Sequence, residues 1–298
     1  MKIAKVILFT ILSLSCLGII ILFECNDLPA GSSIAGIAIA YTLQALERSV
    51  QDLFDTTNWK VSQRKLKRGG FISDKTIVRI SFAYLFRIKI GDKYLLVKNE
   101  RGTGKYQPVG GVYQFKRGEQ NELRNKYQVK DDNKIPIDES SRNDYRLRLE
   151  NKYLRKFVRH FDQKARRENV NNLAREFREE LVETGILNWQ KITYRFCGRH
   201  MTELHFGEHF QMYELLLADV VELLPTAEQE KDLTQLMEQY SELFRFATAD
   251  EITTLGVTPA TKNLAETIAD HSKKILQEKE GELLSLPCVG QKYTVSLK

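Results

Sequence analysis

The sequence predicts a mixed α/β or α+β domain behind an apolar amino-terminal segment. Three observations carry this expectation. Two long uncharged runs open the chain, and an alternating β-branched and aromatic stretch follows from Thr76. A short acidic helical pattern, Asn171 to Ile186, then sits between segments that read as strands.

The apolar runs come first. Val6 to Phe23 holds eighteen residues without a charge, about the minimum that spans a hydrocarbon core. A cleaved signal peptide would have a shorter apolar core and a small-x-small site; here the run continues through Ile19, Ile20 and Ile21, which favours a retained helix. Leu28 to Leu46 is a second uncharged run, with Ser32, Gly36 and Ala40 as a small-xxx-small face. An amphipathic or buried soluble helix is the rival reading. The connection from Glu24 to Asp27 is short, as in a helical hairpin. Lys2 and Lys5 lie before the first run, and Arg48, Lys60, Arg64, Lys65, Lys67 and Arg68 after the second, which places both ends in the cytoplasm. The expected organisation is two transmembrane helices in residues 1–46 (about 6–23 and 28–46), a juxtamembrane linker over 47–70, a domain over 71–280 with an insertion at about 116–168, and a tail over 281–298.

Thr76 to Ile90, the Gly91-Asp92 turn and Tyr94 to Lys98 read as a β-hairpin. Tyr106 to Phe115 reads as a short strand around Gly110-Gly111, where paired glycines signal a bulge or a close backbone approach to a ligand, with a plain turn as the alternative. Lys116 to Arg142 is polar and aperiodic, an expected excursion. Tyr145 to Lys164 reads as helical, with Tyr153, Phe157 and Phe161 as its core stripe. Strands are expected at Lys191–Cys197, about Leu204–Phe210 and Gln211–Leu217, with a shorter extension at Val220–Leu224. Helices are expected from Ala227 to about Leu243, at Ala249–Leu255, and over Thr258–Lys279 with Leu264, Ile268 and Ile275 inward.

The net charge of +6 and pI near 9.0 point to an anionic partner: phosphate, nucleotide, nucleic acid or lipid headgroup. The basic residues are densest from Arg142 to Arg167, a stretch that includes Arg159, Lys164, Arg166 and Arg167. It is either a phosphate-binding patch or a solvated face. The four scattered cysteines form no CxxC pair, and His205 and His209 carry no metal-site pattern, so neither a disulfide framework nor zinc is expected. No P-loop, GxSxG or Ser/His/Asp arrangement is present.

Within Asn171 to Ile186, Glu176, Glu179, Glu180 and Glu183 fall at i, i+3, i+4 and i+7, one face of an ideal α-helix. Leu173, Phe177 and Leu181 make a separate core stripe; Asn171 or Asn172 can cap the start and Gly185 the end. Clustered carboxylates repel one another unless a hard cation joins them. A solvated acidic face, interleaved with Arg175 and Arg178, is the alternative.

These residues carry a family resemblance. Arg175-Glu176-Phe177-Arg178-Glu179-Glu180 is similar to the R-E-apolar-x-E-E core of the Nudix box, and PVGGVY to the glycine pair that precedes it. The chain departs from the compact box: a long insertion separates Gly111 from Arg175, and in the register that keeps three acids Val182 stands at the box's glycine. With the apolar amino-terminus, DYRLRLENKYLRKFVRHFD and YELLLADVVELLPT, the whole resembles SMODS-associated Nudix domains of transmembrane effectors in cyclic-oligonucleotide antiphage systems (CBASS). The resemblance implies a Nudix-like α/β/α sandwich behind a two-helix membrane hairpin, in the bacterial inner membrane. It implies a cyclic nucleotide from a partner nucleotidyltransferase as ligand, homo-oligomerisation, disruption of the bilayer, and no nucleic-acid partner. The alternative it leaves is a membrane-tethered Nudix hydrolase of nucleoside diphosphate derivatives. Glu176, Glu179 and Glu180 are then the expected metal and catalytic set, with Mg or Mn. Gly110, Gly111, Arg159, Arg166, Arg167 and Arg175 are the expected nucleotide-binding set.

Overall fold

The computed structural model describes residues 2–26, 29–54, 58–99, 103–134, 141–163, 165–257 and 265–298. The chain divides into two units, Met1–Asn58 and Trp59–Lys298. In the first, α1 (Lys2–Cys25) packs against α2 (Pro29–Phe54). Val6–Cys25 is long and apolar enough to cross a membrane; the apolar part of α2 is the shorter Ala35–Leu46. Helix α2 also runs on to Phe54, well into the segment read as linker. Of the expected small-residue face, Gly36 has open space around it and Ala40 is exposed, whereas the neighbouring Ala35 is buried. The side chains of Ser32 and Arg48, and all of Asp27, lie outside the described residues.

The second unit opens with α3 (Asn58–Arg68), anchored by Trp59, which is 2% exposed. The later part of the segment read as an amphipathic linker is thus helical. The apolar run from Thr76 then splits. Strand β1 (Ile77–Arg87) belongs to one sheet, while β2 (Lys89–Ile90) and β3 (Lys93–Lys98) form the hairpin in another. The glycine pair makes a second crossing: β4 (Tyr106–Gln107) pairs with β3, and β5 (Gly110–Val112) pairs with β1.

Lys116 to Arg142, expected as an excursion, contains α4 (Glu119–Tyr127) and β6 (Lys130–Asp131). A narrow stripe of Glu119, Leu123 and Tyr127 is buried, and polar neighbours hide it in the sequence. Residues 135–140, within the same stretch, lie outside the described ones. The helix expected from Tyr145 begins later. Strand β7 (Arg146–Glu150) precedes α5 (Asn151–Gln163). Arg-Leu-Arg-Leu-Glu has a period of two, and it buries Leu147 and Leu149 against β1.

The acidic helix is also shorter than expected. Its α-helical turn is α6 (Arg175–Phe177), which passes directly into a π-helical turn over Arg178–Val182. Asn171 and Asn172 do not cap it: Ala174 is the cap residue and has no side-chain cap hydrogen bond. Gly185 ends the segment at φ 74, as expected.

Strands β8 (Lys191–Met201), β9 (His205–Gly207) and β10 (Met212–Leu223) follow. The expected Val220–Leu224 extension is the end of the long β10. Helix α7 (Ala227–Met237) stops before the expected Leu243, and the chain becomes β11 (Phe244–Thr248), which pairs with β3. Helix α8 (Ala249–Thr253) lies where a short helical turn was expected. Of the amphipathic helix expected over Thr258–Lys279, the described part from residue 265 is not α-helical. Residues 258–264, Leu264 included, lie outside the described ones; 3-10 turns at Asp270–Ile275 and Gln277–Glu282 replace the remainder. Ile268 and Ile275 are nonetheless buried. The tail adds β12 (Lys292–Ser296) to the edge of β8.

Among the described residues, eight strands form the larger sheet, with the path β12-β8-β10-β1-β7-β6; β5 pairs with β1 and β9 with β10. Strands β1 and β10 are parallel at its centre. The smaller sheet contains β11, β3, β2 and β4. This is the mixed α/β class expected from the sequence. Phe82, Tyr84 and Phe86 alternate along β1 and meet Phe161, Tyr113 and Phe177 respectively, with centroids 4.7, 5.1 and 5.4 Å apart. The core thereby grips the glutamate turn from below.

Candidate functional site

Phe177 and Leu181 are fully buried, and the Trp189 ring stacks on Phe177 with centroids 6.0 Å apart. These contacts fix the orientation of the turn that carries the acids. The π-helical hydrogen bond from Glu183 N to Arg178 O, 2.9 Å, widens it. The four glutamates do not all line one pocket. Glu176, Glu179 and Glu180 line a pocket, while Glu183 turns to solvent and accepts from Arg178 Nε at 3.0 Å.

The glycine pair meets these carboxylates directly. Gly110 N donates to Glu180 Oε2 at 3.0 Å. Gly110 has φ 150, and a Cβ there would lie 2.2 Å from the Tyr84 carbonyl oxygen. A Cβ on Gly111 would lie 1.9 Å from Glu176 Oε1. The close approach at these glycines is to the chain's own β1 and its own glutamate, where a ligand was expected.

Arg175 is the hub of the site. Its Nη1 donates to Glu176 Oε1 at 2.5 Å, its Nε to Glu168 Oε1 at 2.8 Å, and its Nη2 to the Val112 carbonyl at 2.8 Å. Glu168 in turn accepts from Gln114 N at 2.9 Å. One guanidinium therefore ties the glutamate turn to the strand that contains the glycine pair. The electrostatics agree with the geometry. Burial pushes the Glu180 carboxyl up to about 8, with the charges of Glu176 and Glu179 adding repulsion against the pull of the Gly110 N–H. Burial also raises Glu176, against the pull of Arg175. Asp144, within 3.5 Å of Gln114 Nε2, is raised to about 7 by burial despite Arg146 and Arg175 nearby.

The pocket has a volume of about 240 Å³; Val97, Lys98, Asn99, Thr184, Ile186 and Leu243 complete its walls. Glu176, Glu179 and Glu180 have the donor chemistry of a hard divalent cation, and their mutual repulsion is what such an ion relieves. Among the described residues, however, no three His, Cys, Asp or Glu side chains converge to coordinate one. One oxygen of Glu176 is held by Arg175 and one of Glu180 by Gly110, so a cation shares these carboxylates with groups of the fold.

The expected nucleotide-binding residues divide. Gly110, Gly111 and Arg175 gather here. Arg167 is buried and stacks on Phe161, 3.8 Å from its centroid, with Nη1 on the Glu168 carbonyl at 2.6 Å, so its guanidinium is a core element. Arg166 and Arg159 are exposed and do not line the pocket; Lys164 lies outside the described residues. Sequence reasoning missed Lys98, Asn99, Glu168 and Asp144. Glu168 alone left a signal, an acid shortly before Arg175, masked by the adjoining Arg166 and Arg167.

Arg175→Ala is expected to lose about 2 kcal/mol of stability. The pair is partly exposed, so the effect falls below that of breaking a fully buried one. The freed Glu176 should make the variant's melting temperature rise more with Mn²⁺ than that of the parent chain; an equal response contradicts this account of Arg175.

A diglycine crossing between two sheets, packed on an arginine-tethered glutamate turn, places the chain in the Nudix class. Comparison with known families agrees: the model of the SMODS-associated NUDIX domain matches residues 77–276. The chain belongs to that family. Among solved structures, a Nudix-family hydrolase from Clostridium perfringens shares 14% identity, covering 68% of this chain and 98% of its own, with a TM-score of 0.21. A bifunctional NMN adenylyltransferase/ADP-ribose pyrophosphatase from Francisella tularensis, complexed with AMP and a Mn ion, shares 10% identity over 82% of this chain and 52% of its own, with a TM-score of 0.22. No curated protein matches.

Proposed function

We propose that the chain is a membrane-held effector whose Nudix domain senses a cyclic oligonucleotide. The observation that carries this reading is the internal satisfaction of the box: Arg175 holds Glu176 and Gly110 holds Glu180, so the floor of the pocket is built from groups committed to the fold. Lys98 and Asn99 at the rim offer a cation and an amide to a phosphate and a base. A pocket of about 240 Å³ takes one nucleotide unit of a larger ring. In the first unit, the face bearing Gly36 and Ala40 is left open by α1, which suits association of copies in a bilayer. In this reading a partner nucleotidyltransferase makes the ligand on phage infection, both termini are cytoplasmic, and both helices span the inner membrane. Ligand-driven oligomerisation then breaches that membrane.

Calorimetry on the detergent-solubilised chain against cyclic di- and trinucleotides tests this. One ligand should bind tightly, and Lys98→Glu should abolish its heat. Silence across the panel removes the sensor reading.

That Glu176, Glu179 and Glu180 all line one pocket supports a second reading, a tethered hydrolase of nucleoside diphosphate derivatives. With Mn²⁺ such substrates should be cleaved, and Glu179→Gln should stop turnover. Turnover unchanged by that substitution excludes chemistry at this turn.

A further inference from the structure

The basic residues of α5 do not converge on the glutamate pocket. They join α3. Helix α5 buries Leu154, Phe157, Val158 and Phe161, which leaves Lys152, Arg155, Lys156 and Arg159, spaced i, i+3, i+4 and i+7, on one exposed face. From that face Arg155 crosses to α3: Nε donates to Gln63 Oε1 at 2.6 Å and Nη2 to the Lys60 carbonyl at 3.3 Å. Asp74 joins the two helices elsewhere, taking Lys67 Nζ on its carboxylate at 2.6 Å and the Lys152 N–H on its carbonyl at 3.0 Å. Its charge, and that of Glu150, are answered by Lys67 and Lys152. Lys65 and Arg68 remain exposed on α3. Beside them Phe71 is 70% exposed, its ring lying over Gly69.

We propose that this α3–α5 face, with Phe71 at its edge, docks on anionic lipid headgroups. Three features select a lipid surface. The cations are spread as a ridge over two helices, and none of them lines the glutamate pocket. An exposed aromatic at the margin of a basic face inserts at headgroup depth. The chain also supplies the tether: α2 ends at Phe54 and α3 begins at Asn58, in a protein whose first helix is long and apolar enough to cross a membrane. Attraction to an anionic leaflet fades within a Debye length, so a short tether makes a modest basic face effective. The proposal assigns α5 to membrane docking, independently of what the glutamate pocket binds.

The full chain carrying Phe71→Trp, reconstituted into brominated phosphatidylcholine vesicles with or without brominated phosphatidylglycerol, tests it. Trp59 and Trp189 are buried, so added emission reports position 71. Quenching is expected only with phosphatidylglycerol and should weaken with salt. Each of Lys65→Glu, Arg68→Glu and Lys156→Glu should lower the docked-to-undocked ratio roughly fivefold or more. Lys231→Glu, exposed on α7, is the control for charge in general and should change nothing. Equal quenching in both vesicles, none in either, or indifference to the reversals overturns the proposal. So does emission that follows a soluble cyclic nucleotide instead of phosphatidylglycerol.

Discussion

Gly110→Ala is expected to lose roughly 3–5 kcal/mol, a large part of what a domain of this kind has to spare. Two costs combine. The backbone at φ 150 is one that residues with a Cβ rarely adopt, and the new methyl would meet the Tyr84 carbonyl oxygen at 2.2 Å. That oxygen belongs to β1 at the centre of the larger sheet, so it cannot yield without disturbing the ladder. Gly111→Ala has a different outcome. Its methyl would strike Glu176 Oε1, the end of a flexible side chain, which can swing away. The fold should survive, but Glu176 leaves Arg175 and ligand binding falls. Gly185→Ala is the reference: φ is 74, nothing lies within 4 Å, and the cost should be about 1 kcal/mol. Urea titrations followed by tryptophan fluorescence rank the three. A ranking with Gly185→Ala as the most damaging overturns the role of the crossing.

Much of this site was legible because its signals are local. The diglycine pair marks a position where a Cβ cannot fit, and Phe177 and Leu181 mark the buried side of the turn. The β-branched run from Thr76 marks a central strand, though not its division between two sheets, since a strand buried on both faces loses its alternation. Arg146–Glu150 alternates like a strand but abuts a helix with the same Arg and Leu content, and only pairing with β1 separates them. Phe244–Thr248 lacks a start signal of its own; β3 recruits it. The π turn was least legible. Spacing arithmetic assumes 100° per residue and sees no partners, so it neither found the wider turn nor saw that Glu183 pairs with Arg178 at the exposed end. The partners of Arg175 were likewise beyond periodicity, because Val112 reaches it only through the fold.

Glu180 connects that geometry to pH. Its carboxyl rises from an ordinary 4.5 to about 8 when buried beside Glu176 and Glu179. The folded chain therefore holds a proton that the unfolded chain releases near pH 4.5. The associated stability is complete below that pH and disappears as pH climbs through about 8. At about 1.4 kcal/mol for each tenfold change in proton affinity, the loss across this window is roughly 5 kcal/mol at most. Melting of the detergent-solubilised chain, read from Trp189 stacked on Phe177, should fall between pH 5 and 9 by an amount on this scale. Glu180→Gln keeps an acceptor for Gly110 N, cannot ionise, and should be the more stable chain at the alkaline end. A parent and variant that melt in parallel across the range would place Glu180 in water. The same scan with Mn²⁺ separates the two functional readings. A cation bound at this turn favours the ionised carboxylate, so it should flatten the parent's decline and leave Glu180→Gln nearly unaffected. A decline untouched by Mn²⁺ means that no cation binds at Glu180, which counts against the hydrolase reading.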